Sequence, residues 1–197
     1  MPASALALPP STPDPDAWVP NNVVTSVLHH GTTTWVGGLF DSWGPFTGQA
    51  ASVALAGGAP DPGFPRVLGG FVYAAADDGA GGSYLAGSFS QIGTQAASGV
   101  VHLSATGQVL FSVPIDGGYV RSLALGPDGV LYLGGSFTLV GGVVRRRLAA
   151  INATTGALVT TWKPCIDEIS ESGDFDSNTV FALGLSGSTL YVGGDFG

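Results

Sequence analysis

A six-residue pattern that occurs four times constrains the fold of this chain more than any other feature of its sequence. The pattern is an aromatic residue, an aliphatic residue, a small residue, glycine, a variable residue and phenylalanine. The first two intervals between copies are about 48 residues, and regular spacing of this kind indicates a repeat architecture. We expect the aromatic positions to form a repeated structural core, which comprises Trp35, Phe40, Tyr84, Phe89, Tyr132, Phe137, Tyr191 and Phe196.

Strand-forming segments flank the pattern in the same order in each repeat. An apolar segment precedes the pattern and is separated from it by a hairpin turn, such as Pro127-Asp128-Gly129. Two further apolar segments follow the pattern. Four antiparallel strands in about 48 residues is the size of one propeller blade. The sequence therefore predicts an all-β fold, a β-propeller built of four-stranded antiparallel blades, of which about 3.5 are present.

The repeat gives predicted boundaries along the chain. We expect a leader or processed N-terminus in residues 1–15, which is disordered or a signal-peptide remnant, and a propeller segment in residues 16–197. The blades are predicted at approximately 23–65, 70–114, 118–164 and, incomplete, 178–197. Trp18-Val-Pro20 matches the blade end at Trp162-Lys-Pro164 and is expected to be a fourth strand of the kind that closes a ring. Either the chain is a fragment of a longer propeller, which we favour because propellers have about 4–8 blades, or other chains supply the missing strands.

The composition excludes some classes of function. Six basic residues face 14 acidic ones, giving a net charge of -8, and no basic stripe is interleaved with aromatic residues. Nucleic-acid binding is therefore not expected. No apolar run approaches the roughly 20 residues of a membrane helix, so no membrane span is predicted.

The third repeat carries the most specific family resemblance. Its Leu131-Tyr-Leu-Gly-Gly-Ser-Phe-Thr138, Val140-Gly-Gly142 and Arg147-Leu-Ala-Ala-Ile-Asn152 are similar to the delta-60 repeat, an uncharacterised β-propeller repeat family. The resemblance extends over residues 16–197, although the first two repeats depart from the family after the phenylalanine. The resemblance implies a propeller fold and a location outside the cell or at the cell surface. It also implies that the protein is bacterial. It implies no catalytic residue.

An acidic insertion is the first candidate site. The third repeat is longer than the others, and the excess falls in residues 165–178, where carboxylates and small polar residues alternate. Asp167, Glu171, Asp174 and Asp176 supply the oxygen ligands that calcium requires. Their spacing does not match an EF-hand, and a solvated acidic loop is the favoured alternative. No other cofactor is expected.

Arg145 and Arg147 are the second candidate site. On alternate sides of a strand end they would clamp the carboxylate of a ligand or a sulfated sugar, and the alternative is that one of them fixes the loop to a neighbouring blade. His29 and His30 would point to opposite faces of a strand, and His102 lies far away in sequence, so no shared metal is predicted.

Three functions are compatible with these features. The favoured one is a non-enzymatic extracellular module that binds a glycan or surface protein, or acts as a scaffold. An enzyme acting on polysaccharide or using a quinone is the alternative, since residues 150–156 with Trp162 resemble the tryptophan-docking motif of quinoprotein propellers, although that motif occurs once. The third is a structural subunit that associates with further blades or with copies of itself.

Overall fold

The structure, a computed structural model, describes residues 18–20, 24–30, 33–38, 43–45, 48–53, 61–164 and 179–195. These residues form β-strands and turns without a helix, and all pairs of strands are antiparallel. The all-β prediction is thereby confirmed. The described part of the chain accordingly has no helix with the length and hydrophobicity that crossing a bilayer demands. The chain divides into two compact units, Met1–Thr47 and Gly48–Gly197.

The first unit contains four described strands in two pairs. They are β1 (Trp18–Pro20), β2 (Val24–His30), β3 (Thr33–Gly38) and β4 (Trp43–Pro45). A hairpin joins β2 to β3, and we call this pair sheet I. The predicted fourth strand at Trp18–Pro20 pairs with β4, in the loop region after the six-residue pattern.

The second unit contains three larger sheets. Sheet II is a meander of β6 (Val72–Asp77), β7 (Ser83–Gly87), β10 (Gly99–Leu103) and β11 (Val109–Val113). Sheet III consists of β13 (Val120–Leu125), β14 (Val130–Gly135) and β17 (Leu148–Asn152), and sheet IV of β18 (Thr179–Ser186) and β19 (Thr189–Asp195). No described sheet closes on itself.

Two small three-stranded sheets lie beside the larger ones. The first contains β5 (Val67–Leu68), β8 (Gln91–Ile92) and β9 (Gln95–Ala96), and the second contains β12 (Ile115–Asp116), β15 (Leu139–Val140) and β16 (Val143–Val144). Each pairs a short hairpin after the six-residue pattern with the segment that precedes the first strand of the same repeat. The sequence predicts a loop in place of this hairpin, because two-residue strands are too short to show a hydrophobic period.

Sheet III differs from its prediction at the fourth strand. The segment expected to end at Trp162–Pro164 contributes one isolated bridge, between Ile151 and Leu158. A turn in which the Trp162 amide donates to the Val159 carbonyl then diverts the chain, and Pro164 has no amide hydrogen with which to continue a ladder.

Sheet II is apolar on both faces, because each face packs against other segments of the same polypeptide. Tyr84, Ala86 and Val100 share one core cluster with Leu131, Phe137 and Ile151 of the sheet III repeat. Leu85, Val101 and Leu103, which alternate with them, form a second cluster with Phe89 and Ile92. The alternation along β7 and β10 thus serves two cores rather than one core and solvent.

The first strands of successive sheets are neighbours. Strand β13 packs against β6 of sheet II on one side and against β18 of sheet IV on the other. Three sheets of the second unit are therefore stacked in chain order, with their first strands closest together.

Candidate functional site

The candidate site begins with a bulge that recurs in the first strand of all four sheets. The pairing register shifts between Val72 and Ala74 in sheet II and between Val120 and Ser122 in sheet III. The same shift occurs in sheets I and IV. The residue that the register skips is Thr25 in sheet I, Tyr73 in sheet II, Arg121 in sheet III and Phe181 in sheet IV. A bulge re-aims a side chain, so each repeat displays a different side chain at one equivalent position.

The glycine of the six-residue pattern permits this geometry. Gly87 and Gly135 lie opposite the valine that precedes each bulge. A Cβ atom at either glycine would collide with the carbonyl oxygen of Phe71 or Tyr119. The glycine at the end of the second strand therefore reflects a close approach of two backbones.

A serine in the pattern fixes the start of the first strand in sheets II and III. The Phe71 amide donates to Ser88 Oγ at 3.1 Å, and the Tyr119 amide donates to Ser136 Oγ at 3.2 Å. In return the carbonyls of Phe71 and Tyr119 each accept a hydrogen bond of 2.9 Å from the serine amide. The aromatic residue before the bulge is thus held by two hydrogen bonds to a single serine.

These constraints assemble a surface cluster from two sheets, which we call the Arg121 cluster: Phe71, Tyr73, Tyr119 and Arg121. The rings of Tyr73 and Tyr119 are 5.2 Å apart between centroids and tilted by 54°, and those of Phe71 and Tyr73 are 6.3 Å apart. Arg121 Cζ lies 4.8 Å from the Tyr73 ring centroid and 5.9 Å from that of Tyr119. Both distances are within the range of cation–π attraction.

The cluster is open to solvent. Phe71 is 61% exposed and Tyr119 is 42% exposed, and Arg121 is exposed as well. Among the described residues, no carboxylate forms an ion pair with Arg121. Large exposed aromatic side chains beside an arginine without a carboxylate are typical of a recognition surface.

A second polar constellation lies inside the protein. His102 Nε2 is 3.0 Å from Asp78 Oδ2, and the His102 ring stacks on Tyr84 with 4.3 Å between centroids. The Tyr84 hydroxyl donates to the Ala153 carbonyl of the next repeat at 2.8 Å. His102 is 8% exposed, so this network connects two repeats rather than facing a ligand.

The same network perturbs two ionisable groups. The hydrogen bond from His102 lowers the pKa of Asp78, and the amides of Ala80 and Gly82 lower it further, against the effect of burial. Burial raises the pKa of the Tyr84 hydroxyl, and the negative charge of Asp78 adds to the increase. The first shift favours the ionised carboxylate of Asp78 and the second favours the neutral hydroxyl of Tyr84, so both are consistent with a structural cluster.

The two arginines of the predicted clamp have separate roles. Arg145 donates to the carbonyls of Val144 at 2.8 Å and Thr160 at 3.2 Å, which fixes a loop within its own repeat. Arg147 is only 7% exposed and has a positive φ of 64°, so it precedes β17 in a left-handed conformation. The alternation assumed for the clamp requires extended backbone, which Arg147 does not have.

The predicted repeat core is placed unevenly. Tyr84, Phe89 and Phe137 are buried, and Tyr132 is partly buried with its ring 5.1 Å from that of Trp162. Tyr191 differs from the prediction, since it is 62% exposed. Tyr84 is covered by the following repeat, whereas no described residue of a following repeat covers Tyr191. The side chains of Trp35, Phe40 and Phe196 lie outside the described residues.

The proposed calcium ligands also lie outside the described residues, because residues 165–178 are not among them. In the ranges that the structure does describe, no three His, Cys, Asp or Glu side chains are grouped to hold a metal ion.

An apolar groove is a further surface feature of the described residues. It has a volume of about 320 Å³ and lies between β11 and the turn at 155–158, with Phe111, Val113 and Val143 in its walls. It carries no charged side chain, so it offers shape but little specificity.

The sequence interpretation missed the Arg121 cluster. A signal was present, since Gly69-Gly-Phe-Val-Tyr73 and Gly117-Gly-Tyr-Val-Arg121 repeat at the same phase. The apolar Val was recognised as a strand residue, but its neighbours were not recognised as a display position. Comparison with family models, curated proteins and solved structures finds no match to this chain.

Proposed function

We propose that this chain is a segment of a β-propeller that acts outside the cell as a non-enzymatic binding module. Its ligand-contact surface is formed within the second unit by the bulge residues Tyr73, Arg121 and Phe181. Phe71 and Tyr119, each two positions before a bulge residue, add to this surface. The observation that carries the proposal is the bulge itself, which recurs in four sheets and displays Thr25, Tyr73, Arg121 or Phe181 at one position.

The stacking of the sheets supports the propeller part of the proposal. In a propeller, blades pack face to face around a central channel and their first strands lie innermost. Strand β13 between β6 and β18, and a sheet II that is apolar on both faces, are the arrangement that such packing requires.

The surface chemistry supports the binding part. Tyrosine and arginine are enriched among the residues that dominate binding energy, because they combine large contact area with hydrogen-bonding groups. Tyr119 and Arg121 are both exposed, and each is positioned by contacts within the protein. A preorganised surface loses less conformational entropy on binding.

An enzymatic function has less support from the described residues. Asp78 with His102 is their closest approach to an acid–base pair, but both side chains are enclosed, at 9% and 10% exposure. Little of either side chain is therefore accessible to a substrate.

A binding survey with matched variants tests the proposal. The labelled chain is applied to arrays of glycans and of extracellular proteins, alongside the double variant Tyr119→Ala/Arg121→Ala. The control is Leu110→Ala/Val144→Ala, which alters two exposed apolar residues on β11 and β16. We expect the cluster variant to lose at least about tenfold in affinity for the ligands bound, and the control to retain it. Equal binding by all three proteins would remove the Arg121 cluster as the contact surface.

A further inference from the structure

We propose that the Arg121 cluster binds a carboxylated sugar, a uronic-acid residue of a glycan. The inference rests on the proposed binding function and specifies its ligand class. The guanidinium would pair with the carboxylate while an aromatic ring packs against the sugar ring.

Arg121 provides the positive charge that would bind the carboxylate. Within the described part of the chain it has no carboxylate partner, whereas Arg145 is occupied by two carbonyls and Arg147 is buried. A guanidinium stacked on an aromatic face retains its in-plane N–H donors. Two of these donors match the two oxygens of a carboxylate. Arg121 is therefore suited to one planar anion.

The aromatic rings of the cluster provide the surface that would bind the sugar ring. Phe71 and Tyr119 present exposed apolar surface within the same cluster as the guanidinium, and the tyrosines add hydroxyl groups that donate and accept hydrogen bonds. A sugar ring combines an apolar C–H face with hydroxyl groups at its edge. A carboxylate attached directly to such a ring would reach Arg121 while the C–H face covers an aromatic ring.

The net charge of the chain favours a short glycan over an acidic protein or a densely charged polyanion as the ligand. A net charge of -8 repels acidic proteins and densely charged polyanions at long range. A short glycan with few carboxylates experiences much less of this repulsion, which salt also screens beyond about 8 Å.

The test uses trigalacturonic acid and its methyl ester as probes, measured by calorimetry and by ligand-observed NMR with the full chain. The two probes share their sugar rings and differ in the carboxylate charge. We expect the acid to bind at least about tenfold more tightly than the ester. Arg121→Gln should remove this preference, Phe71→Ala should weaken both probes, and Arg146→Gln, an exposed arginine outside the cluster, should change neither.

Three outcomes would overturn the inference. They are equal binding of acid and ester, an unchanged preference in Arg121→Gln, and no binding of the acid at millimolar concentration. An acidic peptide, Glu-Phe-Glu, is measured in parallel. Peptide binding that requires Arg121, without binding of the uronate, would reject the sugar while leaving the proposed binding function intact. Circular dichroism of each variant would establish that the fold is retained.

Discussion

At the scale of single residues, the buried phenylalanines of the repeat differ sharply from the exposed aromatic residues of the surface. Phe137 is fully buried in the cluster between sheets II and III. Phe181 occupies a bulge and is exposed. The same residue type therefore stabilises the fold at one position and serves the surface at the other.

This contrast predicts the energetic effect of truncation. Phe137→Ala should lower the free energy of unfolding by about 3–5 kcal/mol, because it leaves a cavity in a packed core. Phe181→Ala, the matched control, should cost less than about 1 kcal/mol. Denaturant unfolding of both variants measures the difference. A loss below about 1 kcal/mol for Phe137→Ala would mean that the core between the repeats is assigned incorrectly.

Asp78 predicts a pH dependence of stability. Because the folded-state pKa of Asp78 lies below its ordinary value of 3.8, folding favours the ionised carboxylate. This stabilisation is complete above the ordinary value and is lost as the pH falls through the lower folded-state pKa. Asp78→Asn should therefore be less stable than the wild type at pH 7 and should lose less stability on acidification.

Unfolding curves at pH 7 and at stepwise lower pH values measure this effect. Asp128→Asn, at the corresponding hairpin of the third repeat, provides a control at an exposed carboxylate. Parallel losses for the wild type and Asp78→Asn on acidification would show that the link to His102 contributes nothing to acid sensitivity.

At the scale of secondary-structure elements, the start of the first strand in sheets II and III depends on a glycine, Gly70 or Gly118, that sequence composition alone does not distinguish from other turn glycines. Gly118 has a φ of 142°, and a Cβ atom there would lie 2.5 Å from the Ser136 carbonyl oxygen. That carbonyl belongs to the serine that holds Tyr119. Gly142 has a φ of 77° in the β15–β16 turn, with no atom within 4 Å of a Cβ.

The two glycines should respond differently to alanine. Gly142→Ala should cost about 1–2 kcal/mol, the strain of a left-handed conformation. Gly118→Ala combines strain with a backbone collision, so we expect at least about 2 kcal/mol more, together with weaker ligand binding because Tyr119 moves. Thermal unfolding of both variants measures the first effect, and the glycan probes measure the second. Equal costs at the two sites would argue against the tight strand start.

At the scale of the whole molecule, the sequence predicted the repeated strands but not the surface they create. The six-residue pattern placed the second strand of each sheet correctly, since β7, β14 and β19 contain Tyr84, Tyr132 and Tyr191. Period and turn residues suffice for this, because they act within one hairpin. The Arg121 cluster requires Tyr73 of one sheet to meet Arg121 of the next. Such a contact depends on a bulge and on packing between sheets, neither of which leaves a periodic signal. The propeller itself stays a prediction.

The recurrent bulge also has an evolutionary consequence. Valine occupies positions 24, 72, 120 and 180, whereas the residue after it is threonine, tyrosine, arginine or phenylalanine. The side chain that faces solvent can therefore mutate next to one that serves the backbone pairing. After duplication of such a repeat, a single substitution at the bulge position can change the surface side chain while the valine that pairs with the neighbouring strand is retained. For protein engineering, positions 25, 73, 121 and 181 form a small library that can be randomised while the valines are retained.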